Sequence, residues 1–459
     1  MSVDARSAVL HVTAANGGGV DRYLRDLAAN TPRAHYVWHV GSGMNVIEDV
    51  AAERFHALAS NGDGPRVEDS LRRWLQATGV GIVHVHGVDE ACRERLALLE
   101  RIAPTPWIAT LHDLTFINPS AFDAAGVPEP ASAWIDELAA TLRRASAVVV
   151  PSQFVRDLAR RYLPGIDVHL VAPGLDVSRS GSAVAARPDF EAQRPHHVVA
   201  VVGAIGPHKG SALLQSLVTR LEGTGIGVVV IGYTDTAITH GWRVPGAYYV
   251  YGPYLDEDLR GALAALGAEV VLFTNRMPES FSYTLSEVWA AGIPVVVPDQ
   301  GALGERVAKS GGGWRLPPSY SAAQAADFLC ELFSLDRTAE RVRVKSAIDP
   351  HDRVRIPSLE AMSHEIDALY QRFGLPAASG RPDSTAAREA LDPLLAANLD
   401  GFAFRKELIR LAAELADLKA DGKRLFEENR RLADDKAAFD QLPLLVRKFL
   451  LKRAFRARG

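Results

Sequence analysis

Two carboxylates, Glu279 and Glu287, stand eight positions apart in the run Pro278-Glu279-Ser280-Phe281-Ser282-Tyr283-Thr284-Leu285-Ser286-Glu287. The first lies in a polar, loop-like segment. The second lies on an apolar helical run that continues through Val288-Trp289-Ala290-Ala291. A helix starting near Ser282 to Thr284 offers free backbone N–H groups and the positive end of its dipole, which suits a phosphate. Glu279 then precedes the helix and Glu287 sits about one and a half turns inside it, so two acceptors flank one anion site. A ligand with hydroxyls on both sides of its phosphates fits, and a nucleotide sugar is such a ligand. A bare pair of glutamates would more often be a solvated helix face; the flanking sequence argues otherwise.

That flank is Gly292-Ile293-Pro294-Val295-Val296-Val297. Helix, glycine stop, proline and β-branched strand in that order mark an αβ unit of a parallel sheet. The same alternation fills most of the chain. Strands are expected at Ala8 to Val12, Ile82 to His86, Trp107 to Leu111, Ala147 to Val150 and Val168 to Val171, with a helix from about Val20 to Ala29. Residues 177–196 interrupt the pattern with Ser178-Arg179-Ser180-Gly181-Ser182 and Arg194-Pro195, a polar hinge. A second series follows at His197 to Val202, Gly227 to Ile231, Tyr248 to Tyr251, Glu269 to Phe273 and Pro294 to Pro298, closed by a helix near Ser358 to Phe373. The expectation is an α/β chain with two facing Rossmann-like domains, 1–180 and 195–375. Ligand would sit in the cleft where strand C-termini face each other.

Three more segments could reach that cleft. Gly203-Ala204-Ile205-Gly206-Pro207-His208-Lys209-Gly210 follows the first strand of the second half, where glycines let backbone approach an anion and Lys209 adds charge. Gly17-Gly18-Gly19 follows the first strand of the first half. Leu111-His112-Asp113 closes another strand, and His84 and His86 end a third. Asp256-Glu257-Asp258 precedes an apolar helical pattern and reads as an N-cap with an acidic first turn, not as a metal motif. No essential divalent metal is expected, and no cofactor beyond the sugar nucleotide as co-substrate.

The 279–297 stretch resembles the Glu-x7-Glu region of retaining glycosyltransferases of the GT-B fold, family 4 (group 1) type. The resemblance covers roughly residues 8 to 375 and is strongest from 198 to 306. It implies a hexosyltransferase that moves a sugar from a nucleoside diphosphate donor to a glycan or lipid-linked glycan hydroxyl, with retention, in surface polysaccharide synthesis. It places donor-sugar contact on Glu279, ribose hydroxyls on Glu287, and diphosphate on Lys209 and the backbone of Ser282 to Leu285. Phe281, Ser282, Tyr283, Thr284 and Leu285, with Gly18, Gly19 and Gly203, complete the implied donor site. His112 would contact the transferring sugar, making His112, Lys209 and Glu279 the implied catalytic set. His86-Gly87, Pro151-Ser152-Gln153-Phe154 and Ala172-Pro173-Gly174-Leu175-Asp176 also match family positions, the last two as architecture. One departure stands out: Ala204 occupies the place where this family usually has Arg, which removes one phosphate cation. It supports an alternative reading, a non-catalytic GT-B scaffold that organises a glycan-assembly complex. Glu279, Glu287 and Lys209 argue against that. A phosphorylase-like enzyme would share the fold but need a pyridoxal cofactor.

Composition sets outer bounds. The chain has 459 residues, 47% apolar and 23% charged, with a net charge of −4. That is ordinary for a soluble globular protein and gives no case for nucleic-acid binding. Cys92 and Cys330 are isolated, with no metal spacing, which suits a reducing cytoplasm. No leader-like or 18-residue apolar stretch appears.

Beyond Leu375, Pro376-Ala377-Ala378-Ser379-Gly380-Arg381-Pro382 begins a linker over 376–395. Phe404, Leu411, Leu418, Leu425, Leu432 and Phe439 then recur every seven residues, with Leu408, Leu415, Gly422, Asn429 and Lys436 at the other seam position. A coiled coil over 396–440 is expected, pairing two copies in parallel through 404–439. A single helix packed on the body is the competing reading. Residues 441–459 carry six basic and no acidic side chains interleaved with Leu and Phe. Such a tail, through 442–458, suits either an anionic membrane surface or a partner protein. A cytoplasmic enzyme held at the inner membrane face follows as an expectation.

Overall fold

The computed structural model describes residues 7–376 except 15–17, 41–45, 52–53, 58–64, 124, 179–186, 236, 238–239, 255 and 349–355. The linker beyond Pro376, the heptad segment 396–440 and the basic tail 441–459 lie outside the described residues. So do Gly17 and the turn Ser180-Gly181-Ser182.

Eight strands form the first sheet: β1 Ala8–Thr13, β2 His35–His39, β3 Val46–Asp49, β4 Arg54–Ala57, β5 Val80–His86, β6 Trp107–Thr110, β7 Ala147–Val150 and β8 Val168–Leu170. Their order is β4-β3-β2-β1-β5-β6-β7-β8. All neighbours are parallel except the β2–β3 and β3–β4 pairs. The second sheet holds β9 His197–Ile205, β10 Ile226–Thr234, β11 Gly241–Val244, β12 Tyr248–Gly252, β13 Val270–Leu272, β14 Val295–Pro298 and β15 Gly313–Leu316, in the order β11-β12-β10-β9-β13-β14-β15. The fold is α/β, with two Rossmann-like halves. Strand β2 (HYVWH), the antiparallel strands β3 (VIED), β4 (RFHA) and β11 (GWRV) and the edge strand β15 (GWRL) were not expected from the sequence, because each mixes polar or charged residues into what would otherwise read as an apolar run.

Burial explains why these strands read so plainly. Along β9, Val198, Ala200 and Val202 enter one core while Val199, Val201 and Ile205 enter another. Successive side chains point to opposite faces, and both faces are covered. Under one face lie Leu285, Val288 and Trp289 of the Tyr283–Ala290 helix. Each such side chain, fully buried, contributes roughly 1.5–3 kcal/mol. That apolar seat fixes the helix whose N-terminus points at the site.

The helix Leu359–Arg372 follows the second sheet in sequence but packs with the first. Leu359, Met362, Ile366, Leu369 and Tyr370 share a core with Val9, Tyr23, Leu27 and Ile82. Gly174 makes the crossing tight, since a Cβ there would meet the Ser358 carbonyl oxygen at 2.4 Å. Glu305 adds a further tie between halves. Its carboxylate accepts from the backbone N–H of Gln153 (3.3 Å) and Phe154 (2.7 Å), at the N-terminus of the helix Gln153–Tyr162.

Candidate functional site

In each sheet the strand order reverses beside the first strand of that half, at β1 and at β9. Ligands of open α/β sheets bind beyond the strand ends at such switch points. The sequence places its glycine loops there, after β1 and at the end of β9.

Gly203 has φ +116°, a conformation that L side chains rarely adopt, and a Cβ there would lie 3.9 Å from the Lys209 ammonium. Lys209 therefore reaches back over Gly203. Gly210 closes the turn at φ +80°, and a Cβ would collide with the Thr274 carbonyl at 2.1 Å. Lys209, Asn275, Glu279, Ser282 and Thr284 line one concavity. Among the described residues no carboxylate pairs with the Lys209 ammonium. Asn275 donates to Glu279 Oε1 at 2.6 Å, which orients that carboxylate.

Ser282 is the N-cap of the Tyr283 helix, and its Oγ accepts from Leu285 N–H at 3.3 Å. It is the one non-glycine residue with positive φ among those described, at +74°. Such strain costs on the order of 1–3 kcal/mol and persists where surroundings impose it. Arg306 imposes it here. The guanidinium donates to the carbonyls of Phe281 (3.1 Å) and Ser282 (2.9 Å) and to Ser286 Oγ (2.7 Å), and stacks over Phe281. Burial pushes its pKa down to about 9, so it stays charged at neutral pH. Among the described residues the N–H groups of Tyr283 and Thr284 have no protein acceptor, as expected for the first turn of a helix. The result is a helix N-terminus with a buried cation behind it. Sequence reading did not find Arg306; an arginine on the otherwise apolar face of the following helix was the available signal.

The first half contributes from the other side. A Cβ on Gly19 would lie 3.7 Å from the Tyr283 ring. Gly18, at φ +70°, opens the helix Gly18–Asn30. Ser280 donates through its hydroxyl to the His112 carbonyl, bringing His112 beside the Glu279 segment. Arg22 donates to Glu287 Oε1 at 2.5 Å, with its guanidinium 4.6 Å from the Tyr283 ring centroid. Arg22 was not anticipated; nothing in its own helix pattern separates it from a solvated basic residue. Phe281 and Leu285 are buried in support of the loop. Asp113 turns aside to accept from Thr115 N–H at 2.8 Å, a local turn contact. Ala204 is exposed. Asp258 does occupy an N-cap position, but without a side-chain capping bond.

Beneath His112 lies a layer of buried imidazoles. Register pairs His11 with His84 across β1 and β5. Burial holds His11, His84 and His86 well below the ordinary imidazole pKa, and lowers His112 to about 3. All four are neutral near pH 7. His11, His84 and His86 bring three nitrogens within 4.8 Å of one another. Each of their six ring nitrogens already has a hydrogen-bond partner, so the trio is a satisfied polar layer and not a vacant ligand set.

Comparison with known proteins agrees with this geometry. Residues 17–179 match the model of Glycosyltransferase Family 4. HepE of Anabaena, solved with UDP and glucose, superposes with a TM-score of 0.58 at 15% identity over 80% of this chain and 100% of that one. Sucrose-phosphate synthase from Thermosynechococcus elongatus gives 0.57 at 17%, over 80% and 99%. This chain is a GT-B glycosyltransferase. Among relatives of the glycosyltransferase are the phosphatidyl-myo-inositol mannosyltransferases of Mycobacterium tuberculosis, 27% identical over 61% of this chain and 71% of theirs, and of Mycobacterium leprae, 29% over 67% and 77%. Among the described residues no helix is long and apolar enough to cross a membrane.

Proposed function

We propose that this glycosyltransferase moves a hexose-type sugar from a nucleoside diphosphate sugar to a hydroxyl of a glycan or lipid-linked glycan, with retained configuration. The observation that carries the reading is the helix N-terminus between the two glutamates. Lys209, Glu279, Ser282 and Thr284 line one concavity at the N-terminus of the Tyr283–Ala290 helix, and Glu287 lies further along that helix. Charge builds on the diphosphate as the glycosidic bond breaks. A preset cation and helix N-terminus stabilise it without reorganisation. Glu279 contacts the donor sugar, Glu287 the ribose, and His112 the transferring sugar. Gly18, Gly19 and Gly203 give the phosphates room.

The names of relatives support a mannosyl group and a lipid acceptor; the titles of solved neighbours support a uridine nucleotide and glucose. A panel of nucleoside diphosphates and sugar nucleotides, tested by thermal shift on wild type and Glu287→Ala, separates these donors. A selective shift that disappears in the variant supports the donor site and names the base. No shift with any of them sinks it. The anomeric coupling constant of the product then reads retention directly. The heptads and basic tail would hold the enzyme as a dimer at the inner membrane face or on a partner protein. Deleting 396–459 should reduce mass in solution or recovery with anionic vesicles; unchanged values of both would end that part of the reading.

A further inference from the structure

Four hydrogen bonds link Thr31 to His112 through the interior of the first half. His35 Nε2 meets Thr31 Oγ1 at 2.5 Å, and His35 Nδ1 meets His11 Nε2 at 2.8 Å. His11 Nδ1 meets His86 Nε2 at 2.8 Å, and His86 Nδ1 meets His112 Nε2 at 2.9 Å. His11, His35 and His86 are 0%, 3% and 2% exposed, so water does not break the series. The stacking of His11 on His35 and of His86 on His112, with centroids 5.1 and 5.2 Å apart, holds the rings in register.

We infer that this chain of side chains fixes the tautomer of His112, with Thr31, His35, His11 and His86 as positioning residues. A neutral imidazole has one N–H donor and one lone-pair acceptor. Which nitrogen carries the proton is set by the bond the other makes. With each ring neutral, only two patterns give every bond one donor and one acceptor: every proton directed toward Thr31, or every proton directed toward the cleft. Thr31 chooses between them. Its hydroxyl donates to the Leu27 carbonyl at 3.0 Å. It has a single proton, so toward His35 it accepts. His35 then donates from Nε2 and accepts at Nδ1; His11 donates from Nε2 and accepts at Nδ1; His86 does the same. His112 consequently holds its proton on Nε2. Its Nδ1 is a bare acceptor with no protein partner among the described residues. His112 therefore offers a lone pair, and the group it recognises is an O–H donor such as a sugar hydroxyl. That last step rests on the proposed sugar-facing role of His112; the direction of the chain does not.

The full-length protein labelled with nitrogen-15 in histidine tests both parts. Long-range nitrogen–carbon-bound proton correlations distinguish Nε2–H from Nδ1–H rings, and loss of one ring's signals in His112→Asn assigns His112. Wild type should show His112 as the Nε2–H tautomer; an Nδ1–H ring overturns the inference without any further variant. Thr31→Val removes the acceptor for His35. A buried N–H without partner is disfavoured over a bare lone pair, so the pattern should reverse and His112 should become Nδ1–H. Thr31→Ser should restore it. A His112 tautomer unchanged in Thr31→Val refutes the inference. Transfer is read separately, with an expected loss on the order of tenfold in kcat/KM in Thr31→Val and recovery in Thr31→Ser. A reversed tautomer with full transfer keeps the chain and removes the sugar-facing role of His112.

Discussion

Lowering the pH from 7 to 5 should unfold the first half of this protein through its histidine layer. His11, His84 and His86 are at most 2% exposed and are held well below their ordinary pKa by burial and by each other. The unfolded chain binds protons at these rings below a pKa of about 6.5, whereas the native state refuses them. Their contribution is therefore present above about pH 6.5 and lost as the pH falls. For one ring the loss at pH 5 is RT ln(1 + 10^1.5), about 2 kcal/mol, and three give about 6 kcal/mol. A typical domain has only about 5–15 kcal/mol in total. Glu48, paired with Arg25 and His39, has its pKa lowered from 4.5, so its share is lost only below this window. His112 is half-buried and is left out of the sum. Urea midpoints at pH 7, 6 and 5, followed by far-UV circular dichroism, read the change directly. In His84→Gln the drop should shrink by about 2 kcal/mol. A wild-type change under about 1 kcal/mol would mean that the native fold accepts these protons, and the argument from burial would fail.

Three further outcomes follow from the site. Arg306→Met leaves the Phe281 and Ser282 carbonyls without their buried donor and releases the Ser282 strain; stability should fall by about 3 kcal/mol in chemical denaturation, and an unchanged midpoint would show that the loop holds its shape unaided. The Tyr283 hydroxyl is buried with no partner among the described residues, so Tyr283→Phe should raise the unfolding free energy of the ligand-free protein by about 1 kcal/mol; a drop would mean that the hydroxyl has a partner in solution. Gly210→Ala places a Cβ against the Thr274 carbonyl at φ +80° and should cost about 2 kcal/mol or more, with weaker donor binding by calorimetry; a neutral effect would show that the Lys209 turn can shift.

The two halves, their parallel strands and the switch-point loops were legible in the chain itself. Fully buried parallel strands such as Val198 to Val202 are continuous apolar runs, and Gly292 with Pro294 punctuates helix from strand. Burial on both faces and backbone geometry act locally, so they leave a local trace. That Glu279 precedes a helix and Glu287 lies within it was legible for the same reason, because loop, cap and helix start are close in sequence. What packs against them was not legible. Arg22 reaches Glu287 across 265 positions, and Arg306 supports Ser282 from a separate helix. The helix Leu359–Arg372 joins the first core although it follows the second sheet. The histidines are the clearest case. His11, His35, His84, His86 and His112 come from five positions spread over 102 residues, and each alone reads as an ordinary strand or strand-end residue. Only the register of β1 with β5, and the face on which β2 presents His35, decides that their rings touch. Periodicity records which way a side chain points; contact between distant strands is fixed by how they pair, and that is a property of the folded chain.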